Sequence, residues 1–223
     1  MTTPQFALVA HALALIAALF FVVPALTEML GGPVGYLLSL CVYWLGFCLP
    51  VFFLHVRGRR SPQLFSERLR WRDWWIPFAL LAQVLLVAVF AFVPNTEMLT
   101  THGAMLALVV ALVNGPLEEI AWRGGFMTRF ADAPRLGRAL SLVLYTAWHV
   151  PLLLSHGINF TPSGDMAEAA WVLVGGAAAL GLFWTWLAWR SGSVFWTSIA
   201  HTLVNVLTFW VLFNGNGFVT PHH

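Results

Sequence analysis

The chain has no lysine, only two cysteines and little charge of either sign, with 9% of its 223 residues charged. Soluble domains carry about 25% charged residues, so the shortage excludes an ordinary water-exposed globular surface. Cys41 and Cys48 fall on one expected helix, about 10 Å apart along its axis and beyond the usual reach of a disulfide. There is no disulfide framework and no CxxC metal spacing, and both cysteines read as small buried apolar residues. Extended polar regions and long Gly/Ser or Pro-rich linkers are also missing, so 1–223 reads as a single integral membrane domain. Met1-Thr2-Thr3-Pro4-Gln5 places no basic residue ahead of the first apolar run. That run is longer than the core of a signal peptide and is kept as a transmembrane helix.

What is present is apolar: 60% of the residues are hydrophobic and the mean hydropathy is +0.80. The apolar residues recur in blocks of about 20, the length a helix needs to cross a hydrocarbon core of about 30 Å, whereas barrel strands would alternate in segments of about 10. The expected fold is all-α, a polytopic transmembrane helical bundle of about seven spans, over 6–26, 34–56, 74–93, 103–122 or beyond, 139–155, 167–189 and 194–213. An eighth segment, re-entrant or interfacial, fits the same pattern. Between the second and third spans, Leu64, Phe65, Leu69 and Trp71 would suit a position on the membrane surface.

Every one of the 11 basic residues is Arg, and their placement alternates. Arg57, Arg59, Arg60, Arg68, Arg70 and Arg72 follow the second span, Arg123, Arg129, Arg135 and Arg138 the fourth, and Arg190 the sixth. The opposite loops hold Glu28, Glu97, Asp165 and Glu168 without Arg. The positive-inside rule then places the Arg-bearing loops and the N-terminus in the cytoplasm and the C-terminus on the other side.

Glu118 and Glu119 stand at the end of the fourth apolar run. An acidic side chain deep in a bilayer costs at least about 2.5 to 3.5 kcal/mol, which makes an intramembrane pair a functional-site hypothesis; the plain alternative is a helix end at the headgroups. Measured from Arg123 as the interface, the pair lies about 6 to 8 Å into the membrane. His149 lies about 15 Å along its span, His201 about 10 Å and Asn205 about 16 Å. Three helices therefore bring polar groups to a similar layer of the cytoplasmic half, where a site would open to that side.

Spacing within each helix adds detail. Glu119 and Arg123, Tyr145 and His149, and His201 and Asn205 are each i and i+4 and share a face. Glu118 and Glu119 point about 100° apart and so take different tasks. Each feature alone fits a structural interhelical hydrogen bond or ion pair; their convergence is what points to chemistry. His11, His55, His102 and His156 fall at helix ends or in loops and read as interfacial, and His222 and His223 as tail residues.

Glu118-Glu119-Ile120-Ala121-Trp122-Arg123 resembles the EExxxR motif of the CAAX prenyl endopeptidase and bacteriocin-processing (CPBP, or Abi) family of intramembrane proteases. Tyr145 to His149 resembles its FxxxH motif, with Tyr in place of Phe, and His201 to Asn205 its HxxxN motif. The three occur in the family's order within a motif-bearing core at 103–213.

The resemblance implies an intramembrane endopeptidase acting near the C-terminus of a lipidated or hydrophobic membrane-associated peptide or protein, prenylated in the CAAX enzymes. It makes Glu118 the general base on water with His149 orienting it, His201 and Asn205 the oxyanion donors, and Glu119 with Arg123 the support. Peptide hydrolysis needs those three functions. The bilayer is an expected partner and nucleic acid is not. No cofactor is required from the sequence. Glu118, His149 and His201 nonetheless form a candidate His2Glu zinc set, although the local HExxH motif is missing. The alternatives are a non-catalytic membrane scaffold or bacteriocin-immunity protein and, further behind, a proton-coupled transporter using the Glu and His groups as a relay.

Overall fold

A computed structural model describes residues 1–58 and 61–218; Arg59, Arg60, His222 and His223 lie outside the described residues. The first helix begins where the sequence supplies a cap. Thr2 is extended, and its N–H donates to Gln5 Oε1 at 2.8 Å, one half of a capping box. From there α1 runs over Thr3–Leu30 and α2 over Gly32–Val56. A short helix at Ser61–Leu64 precedes α3 (Trp71–Glu97), α4 (Thr101–Arg129), α5 (Pro134–Ala147), α6 (Met166–Ser191) and α7 (Phe195–Gly215). Thr100 caps α4 by accepting the Gly103 N–H at 3.1 Å, and Asp165 caps α6 by accepting the Glu168 N–H at 2.8 Å, both short polar side chains suited to that position.

No strand occurs among the described residues, and six of these helices, all but α5 and the short one at Ser61–Leu64, are long and apolar enough to cross a membrane. The chain is thus an all-α, multi-pass integral membrane protein. Its outer faces carry large apolar side chains such as Phe21, Phe90 and Trp171, as lipid contact requires. The expected fifth span is the short one. The helix ends at Ala147 and continues as a tighter turn over Val150–Leu154, because Pro151 has no N–H to continue the ladder. The fourth span, expected to reach 122 or beyond, runs to Arg129. Pro116 lies inside it without ending it, and a π-helical stretch over Glu119–Gly125 carries it on to Arg129.

Polar contacts tie the two ends of the bundle. At one, Gln5 Nε2 donates to the Arg129 carbonyl at 3.1 Å and to Asp132 at 2.8 Å, Arg129 donates to the Leu54 carbonyl at 2.6 Å, and the Val194 N–H donates to the Leu64 carbonyl at 2.8 Å. Described segments that bear arginine therefore meet at this end. At the other, Thr100 pairs with Asn214 at 2.8 Å, the His156 N–H with Thr27 at 2.9 Å, and the Asn159 N–H with Asn216 at 2.6 Å. Between them α4 packs most extensively against α7. A Cβ on Gly115 would stand 2.8 Å from the Thr202 backbone nitrogen, so only glycine lets the two backbones approach one turn before the glutamates.

Candidate active site

Glu118 and Glu119 end the regular part of α4 and enter its π-helical stretch, and with exposures of 1% and 0% both are buried inside the bundle. Arg123 is buried as completely. Its place was expected at the interface; counted instead from Arg129, the end of the helix, Glu118 lies about 16 Å along the axis. Widened turns of this kind are frequent at functional sites because they turn successive side chains inward.

Arg123 is held on every side. Its Nη1 lies 3.0 Å from Glu119 Oε1, Nε donates to Thr185 Oγ1 at 3.3 Å, and Nη2 donates to the Gly181 carbonyl at 3.4 Å. The guanidinium carbon stands 3.9 Å from the centre of the Tyr145 ring, a cation–π contact strengthened by burial. Gly181 makes this possible: a Cβ there would lie 2.8 Å from the Tyr145 ring. The tyrosine that replaces the expected Phe is thus the floor beneath Arg123, and it also meets His149 edge-on with ring centres 5.0 Å apart.

The same Glu119 oxygen accepts from His201 Nδ1 at 3.0 Å. A carboxylate paired with arginine can only accept, so Nδ1 carries the proton. Nε2, the opposite ring nitrogen, then faces Glu118, with Oε2 3.6 Å away. The 100° divergence of the two glutamates is spanned by one imidazole, which reaches both. Trp184 packs on that ring with centres 4.2 Å apart, and its own N–H is fixed by Gln83 Oε1 at 3.0 Å.

Glu118 has two unlike oxygens. Oε1 accepts from Asn114 Nδ2 at 2.9 Å, and Asn114 Oδ1 accepts from Trp44 Nε1 at 2.7 Å. Oε2 is buried with no hydrogen-bond partner among the described residues. His149 Nδ1 lies 2.9 Å from the Tyr145 carbonyl, which accepts only, so the N–H sits there and leaves Nε2 as an acceptor. Asn205, one turn beyond His201 on α7, is buried, and its Nδ2 has no partner among the described residues; the buried Trp148 Nε1 is in the same condition. Buried polar atoms are nearly always bonded, so this acceptor and these two donors stand out, as do Glu119 Oε2 and Gln83 Nε2, which also lack a hydrogen-bond partner among the described residues.

The expected residues therefore assemble unevenly. Glu118, Glu119, Arg123 and His201 meet directly, His149 is joined to them through Tyr145, and Asn205 is placed by its position on α7. Sequence reasoning missed Trp44, Trp148, Thr185, Trp184 and the role of Asn114. Only Asn114 left a signal, standing four residues before Glu118 on the same helix face. His55, expected at the interface, is buried and accepts from Arg129 Nε at 2.8 Å. As for metal, no three His, Cys, Asp or Glu side chains among the described residues stand together in an arrangement that would hold an ion. Glu118, His149 and His201 are therefore not brought together as a set that fits zinc in this geometry.

The fold and this centre define a class: a multi-pass membrane protein with a buried carboxylate, histidine and arginine cluster inside its bundle. Residues 100–207 match the family model for type II CAAX prenyl endopeptidase, Rce1-like. The matched segment contains all three motifs, in agreement with the resemblance they carry. No curated protein and no solved structure matches the chain.

Proposed function

We propose that this protein is an intramembrane endopeptidase that hydrolyses a peptide bond near the C-terminus of a lipidated or hydrophobic membrane-associated peptide, with Glu118 as the base. The observation that carries the reading is the state of Glu118: one oxygen pinned by Asn114, the other buried, unpartnered and beside His201. Glu118 Oε2 takes a proton from a water whose oxygen attacks the scissile carbonyl carbon, with His149 Nε2 accepting the second water hydrogen and orienting the attack. The carbonyl oxygen becomes an oxyanion held by Asn205 Nδ2, with Trp148 Nε1 as a further donor. His201, when protonated at Nε2, assists from beside Glu118. The C–N bond then breaks, and the proton on Glu118 passes to the leaving amine nitrogen.

Glu119 and Arg123 do not react in this scheme. Arg123 neutralises Glu119, and Glu119 fixes the tautomer and direction of His201. The core at 103–213 supplies all the reacting groups. The end of the bundle where described arginine-bearing segments meet faces the cytoplasm on this reading, and the site opens toward it. The family's name points to a prenylated substrate. The test is cleavage of membrane-embedded peptides, with and without a C-terminal prenyl group, by wild type, Glu118→Gln and His149→Ala. Losses of about 100-fold or more are expected from a missing general base, and unchanged cleavage by both folded variants overturns the assignment.

A further inference from the structure

Away from this centre, the start of α3 and the end of α6 are joined around one acidic side chain. The Asp73 side chain is 1% exposed; its Oδ2 accepts from Arg70 Nε at 2.8 Å, and its Oδ1 stands in ion-pair contact 2.8 Å from Arg190 Nε. Arg70 Nη2 also donates to the Arg190 carbonyl at 3.0 Å. A single buried carboxylate thus lies in ion-pair contact with two guanidiniums at their Nε atoms. With Arg72 and Trp71 they line an open cavity of about 530 Å³. Three guanidiniums against one carboxylate leave a surplus of two positive charges by simple count.

The surroundings fix the level of the cavity in the membrane. Trp71 and Trp74 are 78% and 64% exposed, and exposed Trp at the end of a span belongs at the headgroups. Arg72 lies 5.2 Å from the Trp71 ring centre and Arg190 5.8 Å from that of Trp75, so the cations and the interfacial rings form one surface.

We propose that this cavity binds the phosphate of an anionic phospholipid headgroup, with Arg70, Arg72 and Arg190 on the phosphate oxygens and Trp71 against the glycerol and upper acyl chain. Guanidinium forks match phosphate oxygens in pairs. Orientation by Asp73 reduces the side-chain ordering that binding would otherwise require. Free phosphate shares the chemistry, but the exposed tryptophans favour a ligand that continues into the apolar layer.

The test uses the whole protein in phosphatidylcholine nanodiscs with and without phosphatidylglycerol, with retained lipid counted by native mass spectrometry and thermal unfolding followed in parallel. Wild type is expected to retain phosphatidylglycerol in preference to phosphatidylcholine and to unfold at higher temperature in its presence. Arg72→Gln should weaken retention about fivefold, in line with the contribution of one arginine near an anionic surface. Arg72 makes no ion pair with Asp73, so this variant keeps the buried pairs; Arg70→Gln is the second variant. Equal retention of the two lipids by wild type overturns the proposal, as does phosphatidylglycerol retention unchanged in both variants. Displacement of the lipid by inorganic phosphate at equal concentration also overturns it, as a site for free anion. Glu118→Gln should retain the lipid as wild type does, which separates this site from the peptidase reading.

Discussion

Asn114 makes Glu118 asymmetric, and that asymmetry is what a base needs. With Oε1 held by Asn114 and Asn114 held by Trp44, the carboxylate cannot swing, and Oε2 keeps one direction. Asn114→Ala removes the only donor to Oε1 in this chain of contacts, leaving a buried acceptor unpaired at a cost of about 1 to 3 kcal/mol. The expected result is a kcat lowered by about 10- to 100-fold, with KM nearly unchanged because both ends of the Asn114 amide are engaged by Glu118 and Trp44; a steady-state cleavage assay reads the split. Trp44→Phe should give the same pattern more weakly. At this scale, pairs within one helix were legible: Glu119 with Arg123, Tyr145 with His149 and His201 with Asn205 follow from i, i+4 spacing. What spacing could not show is which helices turn toward one another. The meeting of His201 with both glutamates, and of Arg123 with Thr185 and Gly181, depends on interhelical rotation.

At the scale of elements, α4 carries most of the centre. Its π-helical stretch follows Pro116 by three residues and covers Glu119 to Gly125. Arginine in an apolar chain ordinarily marks a membrane boundary, which is why Arg123 suggested an end to the span. Its burial against Tyr145, Thr185 and Glu119 overrides that rule. The glutamates consequently sit farther from the end of the helix than Arg123 alone implied. The fifth span was legible as an element but not in its bounds, since the Pro at 151 stops the regular helix at Ala147. Close approach of α4 and α7 at Gly115 gives the element-scale prediction. Gly115→Leu forces its side chain into the Thr202 backbone, and overpacking of this sort costs about 1 to 3 kcal/mol. A lower unfolding temperature in detergent and a loss of cleavage should appear together. Gly176→Ala, at a glycine on α6 with open space around it, should leave both unchanged.

For the whole molecule, the arrangement of the ends and the place of the centre are one question. Described segments containing Arg129, Arg70 and Arg190 meet at one end, and the contacts of Asn214, His156 and Asn216 lie at the other. The alternation of arginine along the sequence foretold this grouping, because each crossing of the bilayer reverses sides. A labelling reporter in the loop after Arg129 is expected to be reached from the cytoplasm, and one beside Glu97 only from the opposite side. The reverse result would place the opening of the site across the membrane from where we put it. The proposed role of Glu118, as the base on the attacking water in a reaction that needs no metal, is tested most directly by measuring cleavage and metal content on the same preparations of wild type and Glu118→Gln. Cleavage by wild type at substoichiometric metal, and its loss in a folded Glu118→Gln, is the expected result. Full cleavage by Glu118→Gln, or stoichiometric zinc in wild type whose removal abolishes cleavage, contradicts it.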